Sequence, residues 1–286
     1  MEEQITTLEG ISNKEILKVF NKSFSDYFIP FKLSEEQFDS KMLVDKTDLS
    51  LSVGVFEKGN LIAFILHGFD KINNEKVIYN GGTGVIPNKR GFGLTKQMYN
   101  FILPILAEKG INRLVLEVIT ENIQAIKSYE KSGFKTKRKL FCYKGEVDIY
   151  YINNNLEIKK FQDYDWNLMQ SFWDTYPTWQ NSKSAINKLK GYNISLGAYI
   201  KNQLVGYIIY NPINKRIKQI AVSKDFRQQK IASTLISEII SSHGHTTSII
   251  NVDKNSIGIN TFLNKIGLKK NLEQLEMKLQ LDRNYN

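Results

Sequence analysis

The sequence has few of the residues on which disulfide-rich and metal-binding proteins depend. Its 286 residues include one cysteine, Cys142, and three histidines. One cysteine cannot form an intrachain disulfide, and this fits a reducing compartment. The histidines His67, His243 and His245 lack the spacing to cysteine or to a carboxylate that is typical of metal sites. We therefore predict no metal.

Long apolar runs are also missing. The longest, residues 61–66 and 101–107, are far shorter than the roughly 20 residues that a membrane-spanning helix needs. The first residues, Met1-Glu2-Glu3, do not begin a basic segment followed by an apolar one, so we expect no secretory signal. These features predict a cytoplasmic protein with no membrane partner.

The composition favours a folded protein with a basic surface. Apolar residues make up 42% of the chain, which excludes a disordered class, and the length suits one large domain or two ordinary ones. The formal net charge of +10 suits phosphorylated ligands, acidic surfaces or nucleic acid. The basic residues are spread among acidic ones and form no stripe with aromatics, which argues against nucleic acid.

The hydrophobic pattern passes through the same order of strand and helix periods twice. The polar stretch Asn153-Asn154-Asn155 lies between the two halves and is a linker candidate. Val222 and Arg227 stand in the second half where Val85 and Arg90 stand in the first. We predict a mixed α/β fold with two domains, residues 1–152 and 156–286.

The first half also contains residues that disturb regular structure. A strand predicted over 76–86 carries three glycines, which often mark a bulge. Pro104 lies inside a helix predicted over 91–109 and is expected to kink it or to end it early. A strand pair is expected from Phe134 to about Ile152.

The segment VIPNKRGFGLTKQMY, residues 85–99, reads as a strand, a basic glycine-rich turn and the start of a helix. Such a turn aims several backbone N–H groups at one place, where the helix dipole adds positive charge. Gly91 and Gly93 allow close approach to a ligand, and Arg90 adds charge. A pyrophosphate fits this pattern, although a tight structural turn explains a Gly-x-Gly sequence equally well.

The segment ENIQAIKSYEKSGF, residues 121–134, follows a strand predicted over 113–119. On a helix, Asn122, Ala125 and Tyr129 are three and four residues apart and share one face. Gly133 suits the end of that helix.

Together the two segments resemble the GNAT acetyltransferase superfamily, over about residues 1 to 150. The first segment matches the family's phosphate loop, Arg/Gln-x-x-Gly-x-Gly/Ala, at Arg90 and Gly93, and departs from it at Thr95. The second segment matches the family's second motif at Asn122, Ala125, Tyr129, Gly133 and Phe134.

The resemblance implies a site for acetyl-CoA in a wedge between two splayed parallel strands, 76–86 and 113–119. The pantetheine arm would pair with backbone near Thr83 and Val85. The residues expected to bind acetyl-CoA are Thr83, Val85, Arg90, Gly91, Phe92, Gly93, Leu94, Thr95 and Asn122.

The resemblance also implies direct attack of an acceptor amine on the thioester in a ternary complex. A backbone N–H of the first strand would hold the oxyanion. Tyr129 would protonate the leaving thiolate. Glu117 is a candidate base, and an ordinary polar residue of a half-exposed strand is the alternative for it.

The second half has the same frame with altered residues, as in tandem-GNAT acetyltransferases. Lys230 stands where Gly93 stands in the first half, and Ser256 stands where Asn122 stands. Leu263 replaces Tyr129 and cannot give a proton. We expect this half to be degenerate, so that it has lost the chemistry or binds CoA weakly at most.

These features predict an N-acetyltransferase that acts on a small-molecule or peptide amine through its first domain. A monomer or a homodimer is expected. The alternatives are a non-catalytic CoA-binding protein, a basic nucleic-acid-binding protein, and an aminoacyl transferase of the Fem type.

Overall fold

Strands and helices alternate along the computed structural model, which describes residues 3–26 and 32–281. The elements up to the linker are β1 Glu3–Thr7, α1 Asn13–Ser23, α2 Glu35–Asp45, β2 Val53–Glu57, β3 Asn60–Ile72, β4 Glu75–Val85, α3 Leu94–Glu108, β5 Arg113–Ile119, α4 Ile123–Lys131 and β6 Lys135–Glu146. Those after it are β7 Glu157–Lys160, α5 Trp166–Ser171, α6 Lys183–Lys188, β8 Ile194–Ile200, β9 Gln203–Asn211, β10 Arg216–Val222, α7 Ile231–His243, β11 Thr246–Asp253, α8 Ile257–Lys265 and β12 Lys269–Gln280.

The chain forms two compact units that are not divided at the linker. One consists of Met1–Arg138 with Leu275–Asn286, and the other of Lys139–Gln274. The predicted domain bounds, 1–152 and 156–286, follow the two sequence repeats instead. The difference arises because β6 and β12 each contribute residues to both units.

The first unit contains strands in the order β1-β2-β3-β4-β5, with residues 275–280 of β12 next to β5. The pairs β1/β2, β2/β3 and β3/β4 are antiparallel, and β4/β5 is parallel. Phe20 of α1 packs its ring against Phe38 of α2 and Phe64 of β3, with ring centroids 5.4 and 5.7 Å apart. These contacts fix α1 and α2 on β3, the strand beside the predicted site.

The second unit repeats this order with its own core. Its strands run β7-β8-β9-β10-β11, and residues 139–146 of β6 lie next to β11. The pairing of β10 with β11 is parallel, as that of β4 with β5 is in the first unit.

Side-chain caps fix several helix starts. Ser12 Oγ accepts from the Glu15 amide at 3.2 Å, and Ser34 forms a capping box with Gln37. Asn122 Oδ1 accepts from the Ala125 amide at 3.1 Å and begins α4. Each cap satisfies an amide that the first helical turn leaves without a partner.

Two local details differ from the sequence prediction. Of the two effects expected of Pro104, a kink or an early end of the helix, the early end does not occur, because α3 continues to Glu108. Pro104 and the residue four positions before it, Asn100, both lie on the exposed face, so water can satisfy the carbonyl that loses its intrahelical donor. In place of the expected strand pair up to Ile152, a single strand, β6, ends at Glu146.

Gly84 provides a test of packing between α1 and β4. A Cβ at this position would lie 2.5 Å from the Phe64 ring and 3.0 Å from Ser23 Cβ, and both neighbours are buried. We expect Gly84→Ala to lower the free energy of unfolding by about 1–3 kcal/mol in urea denaturation. Gly258→Ala in α8 is the control, because its Cβ would meet open space and alanine favours a helix. Equal effects of the two substitutions would contradict this packing.

Candidate active site

The strands β4 and β5 separate part-way along their length. Their parallel pairing joins Val77–Tyr79 to Arg113–Val115 and, among the described residues, goes no further. Both strands continue beyond it, β4 to Val85 and β5 to Ile119. Their diverging ends form the wedge that the sequence predicts.

A bulge in β4 lies where this wedge opens. In the pairing with β3, His67 lies opposite Asn80 and Leu66 opposite Gly82, so Gly81 is the additional residue. Asn80 Nδ2 donates to the Tyr99 hydroxyl and to Thr83 Oγ1, both at 2.8 Å, and Asn80 Oδ1 accepts from the Gly82 amide at 2.9 Å. Asn80 therefore fixes the bulge and orients Thr83.

The other side of the bulge contacts helix α2. Lys41 Nζ donates to the Gly81 carbonyl oxygen at 2.6 Å and pairs with the Asp45 carboxylate. A Cβ at Gly81 would lie 2.8 Å from Asp45 Oδ2, so glycine is required for this approach.

The predicted phosphate loop has the backbone that its sequence implies. Gly91 and Gly93 have positive φ angles of +85° and +74°, and Gly93 caps α3. Apart from the residues next to each glycine in the chain, no heavy atom of the described residues lies within 4 Å of a Cβ at Gly91 or Gly93. Leu94 is buried and anchors the loop, Thr95 is half-buried, and Phe92 is 69% exposed. The loop is therefore open to a ligand at the helix N-terminus.

Arg90 joins this loop to the end of α1. Its guanidinium donates to the Val85 carbonyl at 3.2 Å and to the Ser23 carbonyl at 2.9 Å, and it forms a two-pronged pair with Asp26 at 2.7 and 2.8 Å. The Arg90 hydrogen bonds lower the pKa of the Asp26 carboxyl. The contact of Arg90 with phosphate stays a prediction. The hydrogen bonds that Arg90 makes in this structure position the loop.

Tyr129 lies beside the bulge network. Its side chain is buried on α4, and its ring packs edge to face on Tyr99 and Phe134, with centroids 6.4 and 5.7 Å away. Burial and the nearby Tyr129 phenol raise the pKa of Tyr99 well above its usual value. Tyr99 thus connects Tyr129 to Asn80, the residue that fixes the bulge.

Glu117 projects from β5 into a poorly solvated region. Burial raises the pKa of its carboxyl to about 7, and the negative charges of Glu276 and Asp45 add to this increase. The Tyr79 hydroxyl donates to Glu117 Oε2 at 2.7 Å and partly offsets the effect of burial. A carboxyl with a pKa near neutrality can accept a proton at physiological pH.

The sequence analysis did not identify Asn80, Tyr99, Lys41 and Asp45 as residues of this region. Tyr99 is the last residue of the segment 85–99, and Asn80 lies in the strand predicted over 76–86. The role of Asn80 in fixing the bulge follows only from the register shift between β3 and β4. Lys41 and Asp45 lie outside the quoted motifs.

Comparison with known proteins agrees with this geometry. The family model "Acetyltransferase (GNAT) family" matches residues 14–134 and 158–256. The chain belongs to this family. The predicted tandem arrangement with a mixed α/β fold is confirmed.

Several relatives show how far the likeness extends. A probable spermine N(1)-acetyltransferase of Bacillus subtilis subsp. natto is 28% identical over 101 residues, which are 34% of this chain and 62% of that protein. A GCN5-related N-acetyltransferase of Sphaerobacter thermophilus has a TM-score of 0.71 at 13% identity, covering 97% of this chain and 95% of that one. A tandem GNAT protein from the clavulanic acid biosynthesis pathway has a TM-score of 0.71 at 10% identity, covering 98% of both chains.

The second GNAT unit keeps the loop geometry without its glycines. Gln228 and Lys230 have φ angles of +64° and +62°, close to those of the glycines that they replace. Arg227 braces this loop much as Arg90 braces the first: its guanidinium donates to the Phe172 carbonyl at 3.1 Å and lies 3.1 Å from Asp174. Side chains at such angles are strained, which indicates a retained loop.

A cavity of about 630 Å³ lies in the second GNAT unit, between β10, β11 and the loop that begins α7. The bulge of β10 carries Lys218 in place of Gly81, and the next residue is Gln219. The Tyr207 hydroxyl donates to Gln219 Oε1 at 2.8 Å, and Gln219 Nε2 donates to the Asn181 carbonyl at 2.6 Å. Polar side chains therefore line one side of this cavity.

Within residues 3–26 and 32–281, no helix is long and apolar enough to cross a membrane. In the same residues, histidine, cysteine and acidic side chains form no group of three that could hold a metal ion.

The raised pKa of Glu117 predicts a pH-dependent contribution to stability. Between pH 4.5 and 7 the folded protein binds the Glu117 proton more tightly than the unfolded chain does, so this contribution decreases as pH rises through that range. Glu117→Gln should remove it and gain stability relative to wild type as pH rises, in urea unfolding at several pH values. Glu57→Gln is the control, because Lys89 lowers the pKa of Glu57 instead. If the free energy of unfolding changes with pH in the same way in wild type and in Glu117→Gln, the raised pKa of Glu117 is contradicted.

Proposed function

We propose that the first unit transfers the acetyl group of acetyl-CoA to a primary amine. The observation that carries this proposal is the presence, in one unit, of an open glycine loop at a helix N-terminus, a bulge at the opening of the wedge, and a buried tyrosine beside that bulge. GNAT acetyltransferases in general use acetyl-CoA as the donor, and the open wedge and glycine loop suit a long, phosphorylated substrate.

The donor binds along β4 and the loop. Its pyrophosphate lies at the N-terminus of α3, where Gly91 and Gly93 leave the backbone amides accessible. Phe92, Leu94 and Thr95 complete the loop, and the pantetheine arm pairs with the backbone near Thr83 and Val85. Asn122 acts through its cap on α4, the helix that holds Tyr129 in place.

Two protons leave the acceptor nitrogen, and one is delivered to the leaving sulfur. The ammonium of the acceptor gives its first proton to Glu117, directly or through water, and the free amine attacks the thioester carbonyl. A backbone N–H of the bulged strand stabilises the oxyanion. The C–S bond then breaks, Tyr129 gives its proton to the leaving thiolate, and the acetylated nitrogen gives its second proton to the Tyr129 phenolate. The pKa of Glu117, about 7, suits the first step.

The second unit binds a ligand without carrying out this chemistry. Leu263 occupies the position of Tyr129 and is fully buried, so this helix offers no phenol. The retained loop geometry and the cavity support binding of CoA or a part of it. The domain assignment, with residues 1–152 catalytic and 156–286 degenerate, is part of this proposal.

The acceptor is a small-molecule or peptide amine. The name of the Bacillus relative, a probable spermine acetyltransferase, supports a polyamine as one member of that class.

Tyr129→Phe tests the proton donor. We expect turnover to fall about 10- to 100-fold while the dissociation constant for acetyl-CoA changes less than about twofold, because only the hydroxyl is lost. Steady-state kinetics and calorimetry give the two quantities. Tyr143→Phe, which removes a hydroxyl bonded to Asn260 in the second unit, is the matched control. Full turnover in Tyr129→Phe would remove this tyrosine from the mechanism.

Calorimetric titration with acetyl-CoA tests which unit binds the donor. Gly93→Glu places a negative, strained residue at the first loop, and Lys230→Glu places a negative residue at the corresponding position of the second loop. We expect the tighter site to be lost in Gly93→Glu and kept in Lys230→Glu. Loss of the tighter site in Lys230→Glu alone would assign the donor to the second unit.

A further inference from the structure

A primary ammonium of the protein itself lies against the bulge of β4. Lys41 reaches from α2, where its Nζ donates to the Gly81 carbonyl at 2.6 Å and pairs with Asp45. The Lys41 side chain is 21% exposed and that of Asp45 is 2% exposed. The ammonium thus bridges a buried carboxylate and the backbone of the bulge.

The place of this ammonium matters because Gly81 lies just beyond the point where β4 and β5 separate. The Asp45 carboxylate lies directly against Gly81, since a Cβ there would be 2.8 Å from its Oδ2. The charge of Asp45 also acts on Glu117, which projects from the opposite strand of the wedge. Asp45 and Gly81 therefore lie together where β4 and β5 separate.

The chemistry of this region suits an amine. A primary ammonium has three N–H donors and needs acceptors, and a charged carboxylate is the strongest acceptor that a side chain offers. A carboxylate buried to this extent is costly without a cationic partner. Any cation that displaces Lys41 must therefore take over its contact with Asp45.

We propose that the Asp45 carboxylate and the Gly81 carbonyl form the subsite for the acceptor's ammonium, and that Lys41 occupies this subsite until the acceptor displaces it. The inference rests on the function proposed above and narrows its substrate class. The acceptor is a primary amine at the end of an unbranched alkyl chain, similar in width to a lysine side chain. A quaternary ammonium, which has no N–H, does not satisfy the two acceptors.

Lys41→Ala removes the internal occupant, and n-butylamine is the probe because its four carbons and its ammonium correspond to the lysine side chain from Cβ to Nζ. We expect n-butylammonium at about ten times its dissociation constant to raise the Tm of Lys41→Ala by about 3 °C. Butyltrimethylammonium at the same ionic strength should leave Tm unchanged. With acetyl-CoA present, Lys41→Ala should acetylate n-butylamine at least about tenfold faster than wild type does, because wild type carries a tethered competitor at millimolar effective concentration.

Three further variants keep the inference falsifiable. Lys41→Ala/Asp45→Asn should lose both effects of n-butylammonium, because the carboxylate is gone. Lys46→Ala is the matched control, since Lys46 pairs with Asp70. Lys41→Met replaces Lys41→Ala if the latter does not fold, and its KM for n-butylamine should fall below that of wild type.

The outcomes separate this inference from the proposed function. A rise in Tm without acetylation, in a variant that still binds acetyl-CoA, would show that Lys41 and Asp45 only fasten α2 to β4, and would overturn the subsite. No rise in Tm, or an equal rise with butyltrimethylammonium, would overturn it as well. Failure of the first unit to bind acetyl-CoA would overturn the proposed function and the subsite together.

Discussion

The peptide between Gly81 and Gly82 is the point on which the first unit's site depends. Its carbonyl accepts from Lys41, and its amide donates to Asn80, so both ends of one peptide are held by side chains from different directions. Through Asn80 the peptide is connected to Tyr99 and Thr83, and through Lys41 to helix α2. A shift of this peptide would therefore move the bulge, the helix and the side chains near Tyr129 together.

Arginine has the same mechanical task in both repeats. Arg90 and Arg227 each donate to the carbonyl at the end of a strand and to a carbonyl at the end of an earlier helix, α1 for Arg90 and α5 for Arg227. Each arginine also pairs with an aspartate. The loop keeps its backbone even where Lys230 replaces glycine. The brace therefore maintains the loop's shape, and glycine decides how closely a ligand can approach it.

Sequence periodicity predicted most helices and strands, and the glycine loop was recognisable because its geometry is local. The contacts of the bulge could not be predicted, because they depend on a register shift between β3 and β4 that brings Asn80 to Tyr99. Arg90 shows a second limit. Its type and position suit phosphate, but the partner that it meets, Asp26, is distant in sequence and has no periodic signal. The division of β6 and β12 between the two units also could not be predicted, because it depends on pairing between strands that are distant in sequence.

The last strand has a consequence for biosynthesis. Residues 275–280 lie next to β5 in the first unit, so a nascent chain that has made only the first repeat has an uncovered strand edge. That edge remains open while the 136 residues of the second unit, Lys139–Gln274, are translated. The first unit is therefore made first but completed last, because β5 gains its partner strand only when residues 275–280 have been made.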